Sequence, residues 1–474
     1  MSKEKIQKNY GFVVAETEEA ARAKVIEKFP ELADKKFKLR QDEDCLDTWF
    51  SSWLWPISVF DGINHPDNKD INYYYPTNDL VTAPDIIFFW VARMIMSGYE
   101  YRNEKCFNNV YFTGMVRDKL GRKMSKSLGN SPDPLELIAK YGADGVRMGM
   151  LLSAPAGNDI HFDEALCETG RNFCNKIWNA FRLIKGWEVA DIEQPDENSD
   201  AINWFYNSLI SKYAEIDDLF SKYRLSEALT LIYKLFWDDF CSWYLEIIKP
   251  EYGKPIDKET HHLTLHFFED LLMLLHPFMP FITEELYQAL FTRQQGESIM
   301  TAECKLQFKD VDTALLDNFE KAKEIITNIR NIRASKNISP KEKLTLQILG
   351  EHNELFNEII VKLANVGVEY FRPNANESGK YSAPTASISF MVGTTEYAVP
   401  IGNLINIEEE IKKLETELKY QEGFLKSVTA KLSNEKFVAN AKAEIVENER
   451  KKLSDAESKI KALQENITAL KIQK

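Results

Sequence analysis

Residues 121–130 place several phosphate-binding side chains in one short polar loop. The run reads Gly-Arg-Lys-Met-Ser-Lys-Ser-Leu-Gly-Asn and offers Lys123, Ser125, Lys126 and Ser127. Ammonium and hydroxyl groups bind phosphate oxygens, and flexible lysines can follow the negative charge that develops on a departing pyrophosphate. This chemistry suits nucleotidyl transfer, in which a carboxylate attacks the α-phosphorus of ATP. The alternative is a solvated surface turn, and spacing alone does not separate the two interpretations.

The loop follows a segment whose pattern predicts one βαβ unit. Extended runs at 78–83 and 107–114 flank a helical stretch at 84–101. Such a crossover implies a parallel sheet, and open parallel sheets bind their ligands where loops leave the carboxyl ends of the strands. The loop at 121–130 comes just after the second strand, so a nucleotide-binding interpretation of the loop would place the site at this edge.

The predicted helix at 84–101 also carries a candidate small-molecule pocket. Ile86 and Trp90 are four residues apart, which puts them on one helical face, and Asp85 opens the helix as a partner for an ammonium group. The alternative is that Ile86, Phe89 and Trp90 bury the helix against the sheet. For Phe88 and Phe89 we prefer this second, structural interpretation.

Beyond residue 160 the pattern changes to long helices and then to a mixed region. Three periodic segments with few breaks predict a helix bundle, at 164–187, 225–248 and 261–275. The region after it predicts a small α+β unit, with a helix at 315–334, strand-like runs at 344–349 and 387–392, and a turn-rich joint at 373–380.

The last 70 residues show a coiled-coil pattern. Apolar residues recur at spacings of four and three over 407–432, broken only by Gln421, and the pattern resumes over 453–470. The turn-prone run 433–437 lies between the two. The sequence therefore predicts an antiparallel hairpin about 40 Å long, with a dimerisation stalk as the alternative.

Composition favours an ordinary water-soluble protein. Of the 474 residues, 44% are hydrophobic and 28% charged. The longest nearly apolar stretch, 86–96, contains Arg93 and is too short to span a bilayer, and the first residues lack the apolar core of a secretory signal. We therefore expect a cytoplasmic protein with no membrane partner. The six cysteines include no Cys-x-x-Cys pair, so we expect neither disulfides, nor a structural zinc, nor any metal-binding residues.

Charge is unevenly distributed along the chain. The net charge is −14, yet residues 117–126 and 321–343 are basic, which suits one structured polyanion rather than indiscriminate binding. Asp144 and Arg147, three residues apart on a helix after the loop, are predicted to form a structural pair. The first basic window holds Arg117, Lys119, Arg122, Lys123 and Lys126 against Asp118 alone.

Lys123-Met124-Ser125-Lys126-Ser127 resembles the KMSKS signature of class I aminoacyl-tRNA synthetases. In that family the second lysine, here Lys126, is associated with the activation of ATP. Longer runs are similar to the valyl-tRNA synthetase family and are distributed over the whole chain. They lie at 46–56, 85–94, 171–179, 275–281 and 432–437.

This resemblance implies a reaction and a set of functional residues. The reaction would join valine to tRNA(Val) with ATP, accompanied by Mg²⁺ in the intact enzyme. Lys123 and Lys126 would be catalytic. The ATP-binding residues would be Lys123, Met124, Ser125, Lys126, Ser127 and Asp85, and the valine-binding residues Trp49, Asp85, Ile86 and Trp90. Two indoles and a branched aliphatic side chain would suit a small branched substrate. Such a pocket would still admit threonine, because an apolar pocket only weakly rejects a side chain of the same shape that carries a hydroxyl group.

The resemblance also implies an α/β plus all-α architecture in four parts. These would be the second half of a Rossmann-like catalytic domain (1–155), a helical anticodon-binding domain (156–300), the small α+β unit (301–404) and a coiled-coil tRNA-binding arm (405–474). In the anticodon-binding helices, aromatic and arginine side chains would stack on splayed bases.

Two departures from the family pattern bear on activity. The His-x-Gly-His signature and the large editing insertion are both absent from these residues, so we expect a C-terminal portion that is inactive alone. Ala83 stands where the family usually has Gly, which puts a close backbone approach to the nucleotide in doubt. Two alternatives remain, namely an isoleucyl-tRNA synthetase and a noncatalytic tRNA-binding protein with a vestigial loop.

Overall fold

A computed structural model describes most of the chain. The described residues are 11–154, 157–304, 306–370, 387–401 and 407–433, together with 450, 453, 460 and 464. The chain divides into two compact units, residues 1–113 (unit 1) and residues 114–474 (unit 2). None of the described helices is both long and apolar enough to cross a membrane.

Unit 1 is built around two parallel strands joined by a helical crossover. Strand β1 pairs with β2 in parallel, with Thr77 opposite Phe107 and Thr82 opposite Phe112. The predicted βαβ unit is therefore confirmed. Its helices and strands are α1 (Glu18–Lys28), α2 (Thr48–Ser52), α3 (Trp55–Ser58), α4 (Lys69–Tyr74), β1 (Thr77–Thr82), α5 (Ala92–Arg102) and β2 (Phe107–Phe112).

The crossover is not the single α-helix that the sequence predicts. It begins as a 3₁₀ turn (Pro84–Ile86), continues as a π-helical turn (Ile87–Val91) and becomes α-helical only in α5. Pro84 supplies no N–H and fits the first turn of a helix. Ala83 just before it is extended, with φ −97°, a conformation that any residue adopts. The replacement of Gly by Ala at this position therefore costs no backbone strain.

Unit 2 begins with short strands and continues as a helix bundle, as predicted. Strands β3 and β4 pair in parallel, and so do β5 and β6. A π-helical segment, Leu235–Tyr244, joins α10 to α11 without a break. The elements are β3 (Val116–Arg117), α6 (Pro134–Tyr141), α7 (Ala143–Leu152), β4 (Ile160–His161), α8 (Glu164–Lys185), β5 (Val189–Ala190), α9 (Asp196–Ser221), α10 (Leu225–Lys234), α11 (Leu245–Ile248), β6 (Ile256–Asp257), α12 (Lys258–Leu275) and α13 (Pro280–Leu290).

The remainder of unit 2 is the predicted α+β region followed by one long helix. The four-stranded sheet has the order β8-β7-β10-β9, in which only β7 and β8 are parallel. The elements are α14 (Thr313–Lys336), β7 (Leu344–Leu349), α15 (Asn357–Ala364), β8 (Val366–Tyr370), β9 (Ser387–Val392), β10 (Thr395–Pro400) and α16 (Ile407–Leu432).

One continuous apolar core links the bundle to this sheet. Trp204 of α9 stacks on Phe319 of α14 with ring centroids 3.8 Å apart, and both side chains are fully buried. Residues of β7, β8 and β10 belong to the same buried cluster as the bundle aromatics. The α+β region therefore shares its core with the helices before it.

Helices α7 and α8 cross at unusually short range. A Cβ atom added to Gly170 would lie 2.4 Å from the carbonyl oxygen of Gly145, and one added to Gly149 would lie 2.7 Å from the backbone nitrogen of Cys167. Only glycine allows two helix backbones to approach this closely. This crossing joins α7 to the bundle. Along the chain, α7 follows the polar loop, with the short helix α6 between them.

Helix α16 corresponds to the first arm of the predicted coiled coil. Val428 is 2% exposed and Gln421 is also buried, so the apparent break in the heptad pattern lies on the buried face. Residues 450, 453, 460 and 464 are helical. The residues after 433 that would form the turn of the hairpin, and the predicted joint at 373–380, lie outside the described residues.

Candidate functional site

The polar loop is anchored at its base by β3 and β4. The Arg117 guanidinium forms an ion pair with Asp159, whose other carboxylate oxygen accepts a hydrogen bond from the Met115 backbone N–H at 3.2 Å. A Cβ on Gly114 would lie 1.9 Å from the carbonyl oxygen of Asn158, so this approach of the two segments requires glycine. The start of the loop is therefore fixed by both side-chain and backbone contacts.

Asp118 organises the first turn of the loop. Its Oδ1 accepts hydrogen bonds from the backbone N–H groups of Leu120 (3.0 Å) and Arg122 (2.9 Å). Its Oδ2 accepts from Arg122 Nε (2.8 Å) and Asn130 Nδ2 (3.0 Å). The residue is 9% exposed, and these bonds, led by those from Asn130 and Arg122, hold the pKa of its carboxyl group well below the usual range. Gly121, with φ +76°, permits the tight turn.

Asn130 closes the far end of the loop onto its beginning. Besides binding Asp118, its Nδ2 donates to the carbonyl oxygen of Lys123 at 3.3 Å, and its Oδ1 accepts from the Ser125 N–H at 2.9 Å. Gly129, with φ +62°, precedes it. Sequence reasoning assigned no role to Asp118 or Asn130. The signal that could have identified Asp118 is that it is the single acidic residue within the basic window at 117–126.

The five residues of the Lys-Met-Ser-Lys-Ser run follow this framework. Lys123 and Ser127 are exposed, and Met124 and Ser125 are half-buried. The hydroxyls of Ser125 and Ser127 lie 3.1 Å apart, and Lys126 begins a 3₁₀ turn. The structure therefore keeps the predicted ATP-binding residues of the loop in one compact surface segment.

Most of the basic window around the loop is neutralised within unit 2. Lys119 Nζ lies 2.9 Å from Asp163, and the Arg122 guanidinium lies 2.7 Å from Asp118. Arg117 is paired with Asp159 as described above, so three of the five basic residues of the window have acidic partners. All three lie outside the signature run, so the window is a smaller basic patch than the sequence predicts.

The residues predicted to bind valine all lie in unit 1. Trp49 is in α2 and is 37% exposed, and Asp85 is exposed in the 3₁₀ turn. Ile86 and Trp90 are half-buried, and Trp90 packs partly against the core of the unit. The expectation of one α-helical face for Ile86 and Trp90 is wrong in detail, because a π-helical turn begins between them. Such turns occur frequently at functional sites.

Arg93 is a residue of this region that sequence reasoning did not select. Its guanidinium carbon lies 4.1 Å from the centre of the Trp49 ring, and its Nε is buried without a hydrogen-bond partner. Phe89 also contacts Trp49, with ring centroids 5.2 Å apart. The prediction that Phe88 and Phe89 bury the helix is wrong, since Phe88 is 82% and Phe89 47% exposed.

Asp144 and Arg147 bind the bundle rather than each other. Asp144 Oδ2 accepts from the Ile282 N–H at 2.7 Å, and its Oδ1 accepts from the Phe281 N–H at 3.3 Å, at the start of α13. Arg147 Nε donates to the carbonyl oxygen of Phe278 at 2.9 Å. Burial raises the pKa of Asp144, while the two backbone N–H groups act in the opposite direction. Both residues are structural as predicted, but they attach α7 to the α12–α13 corner.

The basic window at 321–343 is partly used for folding. Arg333 is buried and donates to three carbonyl oxygens, and Arg330 donates to a fourth, that of Leu363. Lys323 Nζ lies 3.3 Å from Asp239. These three charges stabilise the packing of α14, so the window is not a single surface for a polyanion.

Three family models match the chain. Residues 2–163 match the class I tRNA synthetases (I, L, M and V), residues 203–348 the anticodon-binding domain of tRNA ligases, and residues 406–471 the valyl tRNA synthetase tRNA-binding arm. Together with the signature loop, these matches give the class of protein that this chain resembles. Residues 2–163 are similar to the class I aminoacyl-tRNA synthetases, and the two later matches are to tRNA-binding parts of such enzymes.

Curated relatives specify which member of the class it matches. It is 62% identical to a valine–tRNA ligase of Parabacteroides distasonis over 97% of this chain and 52% of that protein. It is 63% identical to one of Phocaeicola vulgatus with the same coverage, and 40% identical to one of Fusobacterium nucleatum over 91% of this chain and 49% of that protein. The chain matches the C-terminal portion of valyl-tRNA synthetase and spans about half the length of these relatives.

Proposed function

We propose that this chain supplies the signature loop, the anticodon-binding helices and the tRNA-binding arm of a valine–tRNA ligase. Such an enzyme joins valine and ATP to form valyl-adenylate and pyrophosphate, and then transfers valine to tRNA(Val). The observation that carries the proposal is the identity of 62% to a valine–tRNA ligase across 97% of the chain. The cytoplasm is the proposed compartment.

The architecture of the loop supports a role in binding the phosphates of ATP. Its internal acid, Asp118, accepts hydrogen bonds from Leu120, Arg122 and Asn130 of the same loop, and these bonds engage both of its carboxylate oxygens. Lys123, Ser125 and Ser127 supply one ammonium and two hydroxyl groups for phosphate oxygens. We propose that Lys123 and Lys126 stabilise the charge that develops on the departing pyrophosphate.

Mg²⁺ would enter this site with the nucleotide. It prefers carboxylate, water and phosphate oxygens as ligands. Three carboxylates that contact the basic window, those of Asp118, Asp159 and Asp163, are each paired with a basic residue of that window. The residues of the loop therefore fit ATP and leave the ligation of Mg²⁺ to its phosphates. Bound Mg²⁺ would neutralise phosphate charge during the transfer.

In unit 1, exposed Asp85 is proposed to bind the ammonium group of valine, with Trp49, Ile86 and Trp90 around its side chain. The π-helical turn that starts at Ile87 separates Asp85 and Ile86 from Trp90 along the chain. Asp85 is also proposed to contact ATP. The partly exposed state of these apolar groups supports a pocket role over a purely structural one.

Helix α16 supports the proposal that the arm binds tRNA. Its buried face contains Gln421 and Val428, while Tyr420 is 67% exposed and Phe424 lies one turn further along the same side. Exposed lysines, including Lys426, lie on the helix as well. Lysines neutralise phosphates, and exposed aromatic rings stack on bases. The helix therefore offers both kinds of contact that single-stranded or splayed RNA requires.

Filter binding of tRNA(Val) tests this proposal. We compare the 474-residue chain, the chain ending at residue 404, and two point variants of α16, Lys426→Ala and its matched control Glu422→Ala. If the arm contacts RNA, truncation and Lys426→Ala lower both the affinity and the slope of log affinity against log salt, since each lost phosphate contact reduces that slope by about 0.7 to 0.9. Equal affinity and slope for all four proteins would remove the arm from the interface.

A further inference from the structure

The signature run is bounded by two side chains that bind each other and the loop backbone. We call Asp118 and Asn130, with the hydrogen bonds between them and to the loop, the Asp118–Asn130 clasp. Twelve residues separate them in sequence, yet their side chains meet at 3.0 Å. Every residue of the signature run lies inside the ring that this contact closes.

The clasp holds the backbone of the loop at several points. On one side Asp118 binds the N–H groups of Leu120 and Arg122, and on the other side Asn130 binds the N–H of Ser125 and the carbonyl of Lys123. The backbone on both sides of Met124 is therefore fixed. The side chains of Lys123 and Ser127 remain exposed, away from these bonds.

The clasp also requires one carboxylate and one amide. Asp118 accepts from four donors, two of them backbone N–H groups, and Arg122 balances its charge. Asn130 donates through Nδ2 and accepts through Oδ1 at the same time. Two carboxylates would repel each other at this distance, and two amides would leave donors facing donors.

We infer that Asp118 and Asn130 are positioning residues that hold Lys123 and Ser125 in the geometry that binds pyrophosphate. The inference rests on the proposed function, since it concerns how the same loop binds phosphate. Neither residue touches the phosphate. Both act through the loop backbone, whose fixed conformation reduces the entropy lost on binding.

An exchange of the two side chains tests this inference. In the double variant Asp118→Asn/Asn130→Asp, the oxygen of residue 118 can still accept from Leu120 and Arg122. Its new amide can donate to the carboxylate at 130, and that carboxylate can still accept from Ser125. The single variants Asp118→Asn and Asn130→Asp cannot satisfy the contact. The exchange therefore restores the central bond, while it loses the bond from Arg122 Nε and the bond to the Lys123 carbonyl oxygen.

The first measurement is amide hydrogen exchange of the 118–130 segment in the 474-residue chain, without ligand. Each single variant should accelerate exchange about tenfold, as expected for the loss of a charged hydrogen bond, while the thermal unfolding midpoint stays unchanged. The double variant should recover part of the protection, because it regains the bond between residues 118 and 130 but not the bonds to Arg122 Nε and the Lys123 carbonyl oxygen. Lys119→Ala, which removes an exposed ion pair in the same loop, is the matched control and should exchange as the parent chain does.

The second measurement titrates inorganic pyrophosphate against the same exchange. Each single variant should raise the half-protecting concentration about tenfold, and the double variant should lower it again. A double variant no better than the worse single variant in either measurement overturns the clasp, as do single variants that behave like the parent. If pyrophosphate fails to protect even the parent loop, the positioning role falls and phosphate binding by the chain falls with it. Protection of the parent and of the single variants at equal concentration would leave the proposed function intact and refute the positioning role alone.

Discussion

Gly170→Ala should destabilise unit 2, although alanine is the better helix former. Gly170 lies in the middle of α8, where replacement by alanine would normally stabilise a helix by about 1 kcal/mol. Here the new Cβ would lie 2.4 Å from the carbonyl oxygen of Gly145, 2.9 Å from its Cα and 3.0 Å from its carbonyl carbon. All three are backbone atoms of α7, so no side chain can rotate out of the way.

The size of the effect follows from how far the two helices must separate. Ordinary contact with a carbon atom begins at about 3.5 Å, so roughly 1 Å has to be recovered between two packed backbones. Overpacking of this kind costs about 1 to 3 kcal/mol, and a clash that involves only backbone atoms belongs near the upper end. After the gain in helix propensity, the free energy of unfolding should fall by about 2 kcal/mol.

Urea unfolding of the 474-residue chain, followed by circular dichroism and by tryptophan fluorescence, measures this loss. Gly423→Ala is the matched control, because Gly423 also lies within a helix, α16, but a Cβ there would meet no atom of the described part of the chain within 4 Å. The control should be unchanged or slightly more stable. A Gly170→Ala chain that is as stable as the parent would refute the claim that glycine sets the α7–α8 distance.

Two further predictions concern catalysis and thiol chemistry. Valine-dependent ATP–pyrophosphate exchange should be undetectable with the purified 474-residue chain, because His-x-Gly-His does not occur in its sequence. Robust exchange would contradict this prediction and show that the chain holds a complete adenylate site. Iodoacetamide at pH 8 should modify exposed Cys45 and Cys304 in the folded chain but should leave Cys174 and Cys241 unmodified. Burial raises the pKa of each of the latter two thiols to about 12, which disfavours the reactive thiolate. Labelling of Cys174 and Cys241 should rise as the pH approaches 12 or when urea unfolds the chain. Mass spectrometry that finds all four cysteines modified equally at pH 8 would contradict this assignment.

Sequence reasoning succeeded where the structural signal is local. The strands at Thr77–Thr82 and Phe107–Phe112 are short segments with apolar residues in their second halves. Helices α8 and α12 show the periodicity of half-buried helices. The signature loop was found from residue types within ten positions. Each of these features depends on neighbours in sequence, so a single chain suffices to detect it.

Sequence reasoning failed where the binding partner of a side chain lies far away in the sequence. Arg333 looked like part of a basic surface, but it is buried and donates to the carbonyl oxygens of Ala364 and Asn365 at the C-terminal end of α15. Asp144 and Arg147 looked like partners because they are three residues apart, yet both bind backbone groups more than 130 positions away. Spacing reports which residues share a helical face, and it carries no information on which element packs against that face.

The sequence alone determined the chemistry available to this protein, namely lysines and serines in one loop, apolar and aromatic side chains near Asp85, and a long helix that carries lysines and aromatic residues. Tertiary structure alone decided which charges remain for ligands and how the loop is held. Arg117, Lys119 and Arg122 are neutralised by aspartates that folding brings to them, and Asn130 meets Asp118 only because the loop closes. The physical reason is that residue type fixes what a group can bind, whereas Coulomb and hydrogen-bond energies depend on distances that only the folded backbone sets.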